Sequence, residues 1–163
     1  MKLSLTMVLV LGLGINSITI AQAENNVAQK YQEECGACHF AYDARFLPAR
    51  SWEKIMATLD KHFNENAEMA AAETQAISAF LADGAGDRSR KIPSVVGLSA
   101  SDTPLRITDA KYFKRWHDEV PAKVFKNNPG LKNFSQCKAC HANADKGNYD
   151  EDEVRIPGYA NWE

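Results

Sequence analysis

The pentapeptide CGACH at residues 35–39 recurs with the same spacing as CKACH at residues 137–141. All four cysteines of the 163-residue chain lie in these two copies of Cys-x-x-Cys-His. The motif is typical of c-type haem attachment, in which both thiols bind the macrocycle and the next imidazole faces the iron. The sequence therefore predicts two covalently attached haem c groups, with iron, held by Cys35, Cys38, Cys137 and Cys140.

Disulfide bonds and a zinc site are the alternatives for the four cysteines. Two disulfides would explain the even number of cysteines but not the histidine that follows each pair. Zinc sites built from two Cys-x-x-Cys pairs usually have those pairs closer in sequence. A thioredoxin-like redox pair is expected in a βαβ context, which the sequence pattern lacks. Covalent haem explains the cysteines and the histidines together.

Residues 1–23 have the pattern of a secretory signal peptide. Lys2 provides a positive start, residues 3–15 are largely apolar, and Ala21-Gln22-Ala23 is a small-residue cleavage pattern. An uncleaved anchor is the alternative, but glycines and polar residues shorten the apolar run. We expect an exported product of residues 24–163, with no transmembrane span after signal removal.

The charge of the chain excludes one class of function. The formal net charge is −2 at pH 7, and the sequence has no basic cluster. Nucleic-acid binding requires cationic side chains that neutralise phosphates. We therefore expect no nucleic-acid partner.

Helical periodicity predicts an all-α, loop-rich fold. Tyr31 and Cys35 share one face of a short helix that leads into the first motif. Further helices are predicted over residues 51–63, 66–83 and 108–120. Their predicted inward residues are Trp52, Ile55, Met56, Leu59, Phe63, Met69, Ala76, Ile77, Phe80, Leu81, Phe113, Trp116 and Val120.

A segment rich in glycine, serine and proline divides the chain into two haem-binding halves. The halves comprise roughly residues 24–83 and 107–163, and residues 84–106 form the predicted linker. Each half is short for a domain that must fold on its own apolar core. A buried porphyrin would supply the missing apolar surface, so we expect the haems to form much of the core.

Two haem irons have four axial positions, and the sequence contains four histidines. His39 and His141 belong to the motifs, whereas His62 and His117 lie on apolar faces of predicted helices. We expect the latter two as distal ligands. Met56 or Met69 could instead complete one haem as a His/Met pair. Short connections favour local pairing, of His62 with the first haem and His117 with the second.

Several longer segments resemble the dihaem cytochrome c family known as DHC. They are YQEECGACHFAY, LPARSWEKIMATLDKHF, RITDAKYFKRWHDEVP and VRIPG, in addition to the two motifs. The resemblance implies an exported bacterial electron carrier, located in the periplasm, with two bis-histidine haems. His62 and His117 match the two remaining histidines of that family. Its implied redox partners are a membrane b-type cytochrome and a soluble monohaem cytochrome that can bind oxygen.

The sequence thus favours an electron-transfer protein over an enzyme. Six-coordinate iron exchanges electrons with little rearrangement and offers no open position for chemistry. The alternative is a haem enzyme or gas-binding sensor with one open axial site. With every histidine assigned to iron, that alternative must give up one ligand or use an open site with a carboxylate or an arginine nearby.

Overall fold

The computed structural model describes residues 16–88, 98–99 and 101–159. Within these residues it contains five α-helices: α1 (Asn16–Gly36), α2 (Ala49–Met56), α3 (Ala71–Asp83), α4 (Lys111–Trp116) and α5 (Cys137–Cys140). Single 3-10 turns span Ala44–Phe46, Leu59–Lys61, Ile107–Asp109, Ala122–Phe125, Ala144–Lys146 and Glu151–Glu153. The described part of the chain has no strand, only two isolated β-bridges. The predicted all-α, loop-rich fold is confirmed.

Helices α1, α2 and α3 enclose the larger of two apolar clusters. Ile77 and Leu81 of α3 are fully buried between α1 and α2. The Trp52 indole Nε1–H donates to the carbonyl oxygen of Ala44 at 2.7 Å, which satisfies the polar atom of this buried side chain. The cluster also contains Tyr31, Ala41, Leu47, Ala49, Ile55, Met56, Leu59, Ala82 and Ala85. The first half therefore has a core made of its own side chains.

The second half has a much smaller cluster. Its fully enclosed members are Val124, Leu131 and Ile156, and the side chains around them are only partly buried. Most of this half consists of loops and 3-10 turns joined by local hydrogen bonds. Its protein core alone is small for a segment of this length.

The helix predicted over residues 51–63 is shorter in the structure. Helix α2 ends at Met56, and the Thr58 backbone N–H donates to the Ile55 carbonyl, which tightens the last turn. The chain then reverses through Phe63 and Asn64, whose φ angles are 54° and 80°. The prediction that Phe63 faces inward is wrong, because its side chain is 39% exposed.

The predicted helix over residues 66–83 begins later than expected. The Asn66 side chain accepts from the Glu68 backbone N–H at 2.9 Å, and this local turn precedes α3. Ile77 and Leu81 are buried as predicted, and Met69 and Phe80 are half-buried against the same core. Ala76 is exposed, so that inward assignment is wrong.

The helix predicted over residues 108–120 is also shorter. A 3-10 turn occupies Ile107–Asp109, and α4 runs only to Trp116, with Ala110 as its N-cap. Phe113 is buried as predicted. Trp116 is 63% exposed, so its inward assignment is wrong.

The division into halves and a linker stays a prediction, as does the signal peptide. Residues 1–15, 89–97 and 100 lie outside the described residues, whereas α1 begins within the predicted signal segment. Part of the predicted linker contacts α2: Asp87 accepts from the Ala49 N–H, and Arg50 donates to the carbonyl of Asp102. No helix in the described ranges is long and apolar enough to cross a membrane.

Candidate metal centres

Helix α1 positions the first Cys-x-x-Cys-His motif. The buried Tyr31 hydroxyl donates to the Tyr42 carbonyl at 2.6 Å, which ties α1 to the chain beyond the motif. Cys35, one helical turn later, is half-buried against the core, as its shared face with Tyr31 predicts. Burial raises the pKa of the Cys35 thiol to about 11, whereas Cys38 is exposed. Both thiols are unpaired.

The His39 imidazole is held with one nitrogen free. Its Nδ1–H donates to the carbonyl oxygen of Phe40 at 2.8 Å, because a carbonyl can only accept. This leaves the Nε2 lone pair free, the usual arrangement of a metal-binding histidine. The ring stacks on Tyr42, with centroids 5.2 Å apart and planes at 28°.

The turn after Leu59–Lys61 brings His62 beside His39. The ring centroids are 6.1 Å apart and the ring planes differ by 20°. The Phe63 ring contacts His62 edge-on at 4.9 Å, and the Arg106 guanidinium lies 3.9 Å from the centre of the Phe63 ring. Burial lowers the pKa of His62, with smaller contributions from His39 and Arg106, so the neutral, ligand-competent imidazole is favoured.

Helix α5 carries the second motif. Gln136 precedes it, and its Oε1 accepts from the Lys132 backbone N–H at 2.6 Å. The His141 backbone N–H donates to the Cys137 carbonyl at 2.8 Å, so the histidine leaves the helix at its last turn. Cys137 and Cys140 are half-buried and unpaired, and burial raises the pKa of Cys137 to about 11 and that of Cys140.

Helix α4 ends where His117 meets His141. The His117 Nδ1–H donates to the Phe113 carbonyl at 2.9 Å, and the His117 ring stacks on the Phe113 ring at 3.9 Å. The centroids of His117 and His141 are 6.2 Å apart, with planes at 77°. Burial lowers the pKa of both histidines, more strongly than the Phe113 hydrogen bond raises that of His117.

A cavity of about 350 Å³ opens between these two histidines. This volume falls within the usual range for ligand and cofactor pockets. Its walls are mainly apolar, and its lining includes Phe46, Phe113, Trp116, His117, Phe125, Phe134, Cys137, Cys140, His141 and Tyr149. The buried Nδ1 of His141 has no hydrogen-bond partner. Two thiols, two imidazoles and an apolar wall fit a covalently bound, iron-containing macrocycle.

The separation of each histidine pair matches a shared metal ion. An imidazole nitrogen binds a first-row metal ion at about 2.0 Å, and the ring centroid lies roughly 1.1 Å behind that nitrogen. Two imidazoles facing one ion therefore have centroids roughly 6 Å apart. Both observed separations, 6.1 and 6.2 Å, agree with this distance.

The alternatives to haem find no support in the geometry. The four cysteines form no disulfide. Across residues 16–88, 98–99 and 101–159, no group of three or more His, Cys, Asp or Glu side chains could hold a metal ion, as a zinc site would require. Met56 and Met69 instead line a separate open cavity of about 670 Å³ between α2 and α3, whose lining includes neither motif histidine.

Tyr42 and Tyr149 connect the two halves close to the histidine pairs. The Tyr42 hydroxyl donates to the Ser135 carbonyl at 3.2 Å, two residues before the second motif. The Tyr149 ring lies 5.5 Å from His141 and 4.8 Å from Phe46. Sequence reasoning missed these tyrosines, because neither lies in a periodic helix; only the position of Tyr42, three residues after His39, gave a signal.

Comparison with known proteins agrees with this arrangement. The family model described as Dihaem cytochrome c matches residues 31–149. A diheme cytochrome type c from Shewanella baltica OS155 is 37% identical, with a TM-score of 0.69, over 84% of this chain and 98% of that one. A diheme cytochrome c from Rhodobacter sphaeroides is 40% identical, with a TM-score of 0.68, over 74% of this chain and 95% of that one.

A second Rhodobacter sphaeroides structure, described as DHC, is 38% identical, with a TM-score of 0.60. It is matched over 74% of this chain and 96% of its own length. No curated protein matches the sequence.

Proposed function

We propose that this chain, which belongs to the dihaem cytochrome c family, is a periplasmic electron carrier whose two haems are both bis-histidine. Family membership means two c-type haems with iron and a function in electron transfer. The ligand sets, the compartment, the partners and the absence of enzymatic activity are the proposal.

The observation that carries the proposal is the separation of the histidine pairs. The ring centroids of His39 and His62 are 6.1 Å apart, and those of His117 and His141 are 6.2 Å apart. Cys35 and Cys38 would hold the first haem, and Cys137 and Cys140 the second. The pairing is local in both halves, which keeps the closed loops short.

Each haem supplies one-electron redox chemistry when bound, and the protein residues determine how that chemistry is used. The Nδ1–H groups of His39 and His117 donate to backbone carbonyls, which fixes the ring tautomer and leaves Nε2 for iron. With two histidines on each iron, a substrate would have no open position to bind. This favours electron transfer over catalysis.

The partners and the compartment come from the family resemblance and from the predicted signal peptide. We propose electron exchange with a membrane b-type cytochrome and with a soluble monohaem cytochrome. Export to the periplasm would place the protein where cytochromes c are assembled and where both partners are accessible.

Covalent attachment is tested by denaturation. Protein treated with acid acetone should keep its pigment, and its mass should exceed that of residues 24–163 by two haems. The mass also locates the cleavage site after Ala23. A colourless product with the mass of the bare chain would contradict covalent attachment.

Carbon monoxide separates the carrier from the haem enzyme or gas sensor. The reduced protein should bind carbon monoxide weakly at both haems, because the gas must displace a held imidazole. His117→Ala should open one binding site, and so should His62→Ala. Stoichiometric binding by the unsubstituted protein would show an open axial position and favour the enzyme or sensor.

A further inference from the structure

The two histidine pairs have the same separation but different relative ring orientations. The planes of His39 and His62 differ by only 20°, so these rings are nearly parallel. The planes of His117 and His141 differ by 77°, so these rings are nearly perpendicular. If both rings of a pair bind one iron, each ring plane would contain its bond to that iron, and the angle between the planes would be the rotation of one ring relative to the other about that axis.

Phe113 contacts His117 twice and fixes its plane. The Phe113 ring stacks on the imidazole at 3.9 Å, with the planes only 13° apart. The Phe113 carbonyl accepts from the Nδ1–H of the same imidazole at 2.9 Å. Rotation of His117 about its bond to iron would break the stacking and lengthen the hydrogen bond. The Phe134 ring meets both rings edge-on, with centroids 5.7 Å from Phe113 and 5.5 Å from His117.

Among the residues that the structure describes, none stacks on His62 as Phe113 stacks on His117. Phe63 contacts His62 edge-on, with the planes at 68°. The parallel neighbour at this site is instead Tyr42, which stacks on the proximal ring of His39. Each pair therefore has one ring held by a stacked aromatic side chain, which is the motif histidine in the first pair and the other histidine in the second.

On the basis of the proposed bis-histidine ligation, we propose that Phe113 is a positioning residue that holds His117 perpendicular to His141. It thereby makes the second haem electronically distinct from the first. The π orbital of an imidazole acts on the iron d orbital that lies normal to the ring plane. Two parallel rings act on the same d orbital, so the two iron d orbitals that can interact with the rings differ in energy. Two perpendicular rings act on one of these d orbitals each, so the two orbitals stay nearly equal in energy.

Electron paramagnetic resonance of the oxidised, fully loaded protein tests this directly. The parallel pair should give a low-spin signal with three resolved g values. The perpendicular pair should give a second low-spin signal, with one feature at markedly higher g, because near-equal d orbitals leave a large orbital moment. Two signals of the parallel type would overturn the proposal, although both haems would still be low-spin and the proposed ligation would stand.

Substitutions assign the second signal to Phe113. Phe113→Leu removes the flat stacking face while keeping an apolar side chain and the backbone carbonyl. It should shift or broaden the high-g signal and leave the three-value signal unchanged. Phe113→Tyr retains the stacked ring and should restore the high-g signal. Phe80→Leu is the matched control: Phe80 is half-buried against the core of the first half and contacts the Tyr31 ring, away from both histidine pairs. It should leave both signals unchanged.

The possible failures are distinguishable. An unchanged high-g signal in Phe113→Leu, or a change in the three-value signal alone, would overturn the role of Phe113. A high-spin signal in the unsubstituted protein would instead overturn the proposed bis-histidine ligation. The spectrum of the unsubstituted protein decides the orientations even if Phe113→Leu fails to fold.

Discussion

The two halves surround their histidine pairs with different amounts of protein. In the first half, α1, α2 and α3 bury a cluster of twelve residues that includes fully enclosed Ile77. In the second half, the corresponding cluster has three members, and the histidines line a cavity of about 350 Å³. Outside that cluster, the described part of the second half buries only Ala110, Phe113 and Ala144. We therefore expect the second half to depend more on its cofactor than the first.

Removing each haem attachment should have the largest effect and should break the symmetry between the halves. The double substitution of Cys137→Ala and Cys140→Ala should leave one haem and unfold the second half. The reason is that the free energy of binding the second haem also stabilises the fold of that half. Limited proteolysis should then cut within residues 107–159 and spare residues 26–88. The matched variant, Cys35→Ala with Cys38→Ala, should retain the helical far-ultraviolet signal of α1–α3. Equal protection of both halves in the two variants would contradict the comparison.

Loss of one distal histidine should have the next largest effect. His117→Ala would remove the proposed bond between the end of α4 and iron and should lower the free energy of unfolding by more than about 3 kcal/mol. His62→Ala should cost less, because α2 and α3 keep their own packing. Guanidinium unfolding followed by haem absorbance measures both. An equal or larger loss for His62→Ala would refute this ranking.

The same small truncation in each half should have a smaller effect. Ile77 is fully buried by α1 and α2, so Ile77→Val should cost about 0.5–1.5 kcal/mol. Ile156, 4% exposed, borders the second cavity, so Ile156→Val should lie at the low end of about 0.5–1.5 kcal/mol and also shift the haem absorbance. Unfolding curves and visible spectra of the two variants give the comparison. A spectral shift in Ile77→Val alone would contradict it.

The contact between the halves should give the smallest effect. The Tyr42 hydroxyl donates to the exposed Ser135 carbonyl, which water can satisfy, so Tyr42→Phe should cost about 0.5–1 kcal/mol. Tyr112→Phe is the control, since its more deeply buried hydroxyl donates to the Phe46 carbonyl at 2.6 Å and should cost more. Thermal unfolding ranks the two, and the reverse order would contradict this reading.

Much of this architecture could be predicted because the motifs and the apolar periodicity are local signals. Residue spacing predicts the helical fold and the burial of Ile77 and Phe113. It also predicts the four histidines as candidate iron ligands. The ends of the helices did not follow. The turn at Phe63 and Asn64 has positive φ without a glycine, and the exposure of Trp116 depends on where α4 stops. Phe63 directly follows His62 and Trp116 directly precedes His117, and residue spacing does not encode the tertiary contacts at these positions.

Near-infrared magnetic circular dichroism of the oxidised protein tests whether both haems have two histidine ligands. The position of its ligand-to-iron band depends on the pair of axial ligands. Two bis-histidine haems predict bands of the His/His type accounting for both irons, with no high-spin feature. A His/Met band would give Met56 or Met69 the place assigned to a distal histidine. A high-spin band from one iron would mean an open axial position, and either result would contradict the account.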